Sequence, residues 1–94
     1  MNIRIAVVIP YFQRESGILR RSVESVFAQE LPDGTDVKIV IVDDESPLPA
    51  KKELSDLTPP APYSIVVLNR GNGGPGAARN TGLDHLDPAE TDYV

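Results

Sequence analysis

The 94 residues contain no cysteine and no tryptophan, and only one histidine and one methionine. Without cysteine the chain forms no disulfide and offers no thiolate to a metal, a composition that fits a reducing compartment. His85 alone cannot assemble a metal cluster and reads as a surface residue. Basic residues are few: 9 Lys and Arg against 14 Asp and Glu give a formal net charge of −5. So acidic a chain repels a phosphate backbone, which argues against nucleic acid as a partner. No stretch approaches the roughly 20 apolar residues of a membrane span. The opening Met1-Asn2-Ile3-Arg4 lacks the basic-then-apolar pattern of a secretory leader, so a soluble, cytoplasmic protein is expected. What is present suits one small domain over 1–94: an apolar fraction of 40% in a chain long enough to bury about 60–65% of its unfolded surface.

Three runs rich in Ile and Val, at 3–10, 37–43 and 64–69, are apolar on both faces rather than alternating. That is the pattern of strands in a parallel sheet covered on both sides. Between the first two, 16–29 predicts a helix with Ser16 as N-cap and Leu19, Val23, Val26 and Phe27 on one face. Leu31-Pro32-Asp33-Gly34 breaks it. A short helix is expected over 50–57 with Leu54 and Leu57 inward, followed by an extended connection through the prolines of 58–62. A third helix is expected from Gly76 to about Leu86, with Ala78, Leu83 and Leu86 on the sheet. The order β-α-β-α-β-loop-α implies right-handed crossovers and an α/β three-layer sandwich around a parallel, Rossmann-like sheet.

Three places could carry chemistry. Asp43 and Asp44 end the second run, where open α/β folds build ligand sites; ordinary turn and capping chemistry would also place Asp, Ser46 and Pro47 there. Gly71-Asn72-Gly73-Gly74-Pro75-Gly76 lies too late for a dinucleotide fingerprint and has no following lysine for a phosphate loop. It is either a flexible connection or a place where backbone must approach something closely. Running into a helix that carries Arg79, it describes an anion-facing surface. Tyr11 and Phe12 either cover the core or offer an aromatic platform on which a flat base stacks. Tyr63 and Tyr93 read as packing residues, and Arg20, Arg21 and Glu24 as a solvated helix face.

Four segments occur in order: Val7-Val8-Ile9-Pro10-Tyr11-Phe12-Gln13, Ser22-Val23-Glu24-Ser25-Val26-Phe27-Ala28-Gln29, Ile41-Val42-Asp43-Asp44-Glu45-Ser46 and Gly76-Ala77-Ala78-Arg79-Asn80-Thr81-Gly82. Over about 4–86 the chain resembles the N-terminal, nucleotide-binding half of the family 2 glycosyltransferases, whose fold is called GT-A. The resemblance implies that Phe12 contacts the uracil ring of a UDP-sugar donor, with Pro10 and Tyr11 beside it. It implies that Asp44 reads the base with Asp43 as its support, and that Asn72 and Arg79 face the nucleotide near Gly76. Two departures are mild: Glu45 stands where the family usually has glycine, and Tyr11-Phe12-Gln13 replaces the commoner Thr-Tyr-Asn.

The resemblance further implies an Asp-x-Asp that holds Mg²⁺ or Mn²⁺ at the end of a fourth strand, and a base carboxylate beyond it. Here that strand would begin near Tyr93-Val94. The expectation is therefore part of a longer enzyme: the donor-nucleotide half of an inverting glycosyltransferase, inactive by itself and with no catalytic or metal residue of its own. The alternatives are a nucleotide-binding module without turnover, and a nucleotidyltransferase, which would want a glycine-rich basic loop after the first strand. The implied strand order is third, second, first, then fourth. The first strand would then be an edge here, open to self-association.

Overall fold

The computed structural model describes residues 3–87 and 91. Three parallel strands, β1 (Ile3–Tyr11), β2 (Thr35–Asp44) and β3 (Tyr63–Arg70), form one sheet in the order β1-β2-β3. Three helices intervene or follow: α1 (Ile18–Phe27), α2 (Ala50–Glu53) and α3 (Pro75–His85). The order of elements and the parallel pairing agree with the sequence pattern. Tyr93 and Val94, proposed as the start of a fourth strand, lie outside the described residues.

Side chains alternate across a strand, and β2 shows what each face meets. Val37, Ile39 and Ile41 join Tyr11, Leu19, Val23, Ala50 and Leu54 in a core under α1 and α2. Val40 and Val42 pack with Ala78 of α3 on the other side, with Val8, Leu68 and Leu86 around them. The sheet is thus covered on both faces, as its non-alternating strands require. Phe27 and Tyr63 close the first core with ring centroids 5.0 Å apart, so Tyr63 is indeed a packing residue.

The helices depart from expectation at their ends. Ser16 does not cap α1: Gly17 holds the N-cap position, and its N–H donates to Glu53 Oε1 at 2.7 Å. That bond ties the start of α1 to α2, but no side chain caps the first-turn amides of α1 in the way expected of the Ser16 hydroxyl. Residues beyond Glu53 leave the α-helical ladder. The Leu54 N–H still reaches Ala50 O, but Ser55 and Leu57 bond only three residues back, to Lys52 and Leu54, the tightening common in a last turn. Leu54 is buried and Leu57 packs on the core, as expected. Helix α3 starts one residue early, with Pro75 in the first turn where its missing N–H costs nothing. Of its expected inward residues, Ala78 is buried but Leu83 is exposed. Gly82 takes the inner position instead.

Candidate functional site

At the C-terminal end of the sheet, between the end of β1 and the start of α3, lies a cleft of about 380 Å³. That falls within the size range of small-molecule sites. Its walls are Pro10, Tyr11, Phe12 and Gln13 on the β1 side, Asp44 of β2, and Asn72, Gly74, Pro75 and Ala78 on the α3 side. The sheet determines why these meet: parallel strands end together, so the loops after β1, β2 and β3 converge at one edge.

The two adjacent aspartates do different work because they point to opposite faces. Asp43 lies on the α1/α2 side. Its Oδ1 accepts from the Ser46 N–H and its Oδ2 from the Ala50 N–H, each at 2.8 Å, closing the turn into α2. Asp44 lies on the α3 side. Its Oδ1 accepts from the Gly73 N–H at 2.9 Å and its Oδ2 from the Gly74 N–H at 2.8 Å. Arg70 Nε stands 3.3 Å from Asp44 Oδ1. Both aspartates are only 4% exposed, but only Asp44 borders the cleft. A carboxylate offers about four acceptor positions. The two amides occupy two, and Arg70, whose Nε–H donates to Gly71 O, adds charge, so Asp44 keeps acceptor capacity for a ligand.

The glycine loop is built around those carboxylates. Gly74 sits at φ 89° and is the N-cap of α3. At Gly73 a Cβ would come within 2.5 Å of Arg70 Nη2. The Asn72 N–H donates to Glu45 Oε2 at 3.1 Å. Amides 72–74 therefore face the protein's own acids rather than standing open to an external anion.

Phe12 is one of the few large apolar side chains left exposed, at 41%. Arg14 lies over its ring, 5.6 Å from the centroid, in reach of a cation–π contact. Tyr11 has the opposite fate: its ring is in the core and its hydroxyl donates to Leu48 O at 2.7 Å. Burial above all holds the Tyr11 phenol above its usual pKa, with Glu53 and Asp43 adding to the rise and the neighbouring Ser46 hydroxyl opposing it. The Ser46 hydroxyl bonds both the N–H and the carbonyl of Gln13 at 2.8 Å, tying the loop after β1 to the turn after β2.

Of the residues singled out in the sequence, the fold brings Pro10, Tyr11, Phe12, Asp44 and Asn72 to one cleft. Asp43 supports from behind the sheet edge. Gly76 and Arg79 lie in the first turns of α3, exposed and outside the cleft wall. Arg70 was missed. It closes β3 one residue beyond the expected end of that strand, as the register partner of Asp44. Extending the strand by that residue would have found it.

A family model, glycosyl transferase family 2, matches residues 6–94. The succinoglycan biosynthesis protein ExoW of Rhizobium meliloti (strain 1021) is 50% identical over 91 residues, 97% of this chain and 27% of that protein. The minor teichoic acid biosynthesis protein GgaA of Bacillus subtilis (strain 168) is 30% identical over 81 residues, 86% of this chain and 18% of that protein. The chain thus spans well under half the length of either relative. No solved structure matches it.

Proposed function

We propose, for a chain that belongs to glycosyl transferase family 2, that the cleft beside Asp44 holds the nucleotide of a nucleotide-diphosphate sugar. Phe12 stacks on the base and Asp44 accepts from a base N–H. The whole protein would transfer the sugar to an acceptor with inversion, and UDP is the nucleotide that the family resemblance favours. Its uracil has a ring N–H for the carboxylate, a donor that thymine and guanine share. The observation that carries this reading is a nearly buried carboxylate with unused acceptor capacity, in the same cleft as an exposed aromatic ring. A base N–H entering so desolvated a site discriminates strongly between a pairing carboxylate and an apolar wall.

Among the described residues no group of three or more His, Cys, Asp or Glu side chains could hold a metal ion. These side chains do not fit a metal centre. Any Mg²⁺ or Mn²⁺ used by the whole enzyme belongs, in this proposal, to residues beyond this set. No helix among the described residues is long and apolar enough to cross a membrane; a cytoplasmic enzyme remains part of the proposal.

Calorimetry of UDP binding to the full-length protein tests the site. Asp44→Ala is expected to weaken binding about tenfold or more, roughly the 1.4 kcal/mol of one unpaired donor. Asp43→Asn is expected to lower the melting temperature while leaving the affinity of the folded protein nearly unchanged. Wild-type affinity in Asp44→Ala would remove Asp44 from the site.

A further inference from the structure

We propose that Arg70 is a positioning residue of this site, acting on the ligand only through Asp44 and the glycine loop. The inference rests on the reading of Asp44 given above. Arg70 does not border the cleft, yet each polar part of its side chain with an assigned contact meets something that shapes the cleft.

Asp44 and Arg70 are register partners on adjacent strands, so their side chains leave the same face of the sheet. Nε lies 3.3 Å from Asp44 Oδ1 and donates to Gly71 O at 3.0 Å. Nη1 donates to Ala77 O and to Thr81 Oγ1, both at 2.7 Å. One planar group therefore joins the carboxylate, the start of the glycine loop and the second turn of α3.

The Asp44 side chain is only 5% exposed, and a carboxylate that far from water needs both donors and a counter-charge. Gly73 and Gly74 supply amide donors, and Arg70 supplies the charge. Because the other edge of the guanidinium is anchored on α3, the charge cannot drift, and the carboxylate is pinned between loop and helix. Lysine would keep the charge but not the fork. A single ammonium cannot meet Asp44 and the Ala77–Thr81 pair together. At Gly73 the loop packs so closely on the guanidinium that a Cβ would lie 2.5 Å from Nη2, so a side chain there would require Arg70 to shift.

The test is a double-mutant cycle on the full-length protein, read by UDP calorimetry alongside thermal melting. Arg70→Met is expected to weaken UDP binding about tenfold in the folded protein, and Arg70→Lys to show an intermediate loss. In an Asp44→Ala background the Arg70→Met change is expected to have little further effect on affinity. A purely structural arginine would lower the melting temperature and leave UDP affinity unchanged, and that result would overturn the proposal. An undiminished loss in the Asp44→Ala background would also overturn it, because Arg70 would then act by another route. Should Arg70→Met fail to fold, Arg70→Lys decides: wild-type affinity overturns the proposal, and an intermediate loss supports it. A wild-type protein that does not bind UDP would instead overturn the nucleotide reading, and this inference with it.

Discussion

Glu45 adopts φ 56°, and its carboxylate accepts the backbone N–H of Asn72, 27 positions further along the chain. The left-handed region costs a side-chain-bearing residue about 1–2 kcal/mol, which is why glycine suits the position. The bond to Asn72 offsets part of that cost. Glu45→Ala keeps the strain and loses the bond. Glu45→Gly loses the bond but releases the strain. Glycine is therefore expected to be the more stable replacement by about 1 kcal/mol, reversing the usual Ala-over-Gly order. Chemical denaturation of the two variants checks this; alanine equal or better would mean the backbone relaxes at Glu45 without penalty.

Gly82 lets α3 touch the sheet. A Cβ at this position would lie 2.5 Å from Val8 Cγ1 and 3.1 Å from Val42 Cγ2. Alanine is the better helix former by about 1 kcal/mol, but the overlap with two packed valines should cost more, about 1–3 kcal/mol. Gly82→Ala is expected to be destabilised in a melt. Gly82→Ala/Val8→Ala should recover part of the loss, and no recovery would place the strain elsewhere.

Tyr11 predicts an alkaline effect. Its phenol is held above its ordinary value of 10.0, chiefly by burial. Below pH about 10 both folded and unfolded chains keep the proton, and the contribution is intact. Above it the unfolded chain ionises first, so stability falls as pH rises. Tyr11→Phe loses the bond to Leu48 O, about 1 kcal/mol at neutral pH, and should flatten the alkaline limb of stability against pH. A limb equally steep in the variant would assign it to other groups.

Among the described residues β1 pairs with β2 alone, and Ile5, Val7, Val8 and Ile9 are only half-buried. A long apolar edge is a template for another strand. The isolated 94-residue chain is expected to sediment as a dimer or larger species at micromolar concentration. A monomer with a cooperative melt would show that the edge is covered.

The pattern of apolar runs determined most of the fold. Parallel strands buried on both faces and an α1 stripe of Leu19 and Val23 follow from neighbours along the chain, because local periodicity and burial are tied to one another. Motif residues likewise pointed to Pro10, Phe12, Asp44 and Asn72. What the sequence could not decide was which donors each acid meets. Gly17, not Ser16, is the N-cap of α1, with its N–H on Glu53 of α2, and Gly82, not Leu83, meets the sheet. Asp43 and Asp44 differ only by the half-turn of a strand, so their separate tasks appear once α2 and α3 lie on opposite faces. The bonds that shape the cleft join residues far apart in the chain, as Asp44 and Gly74 are, 30 positions apart. Such pairings depend on where whole elements dock, and only the tertiary structure sets that.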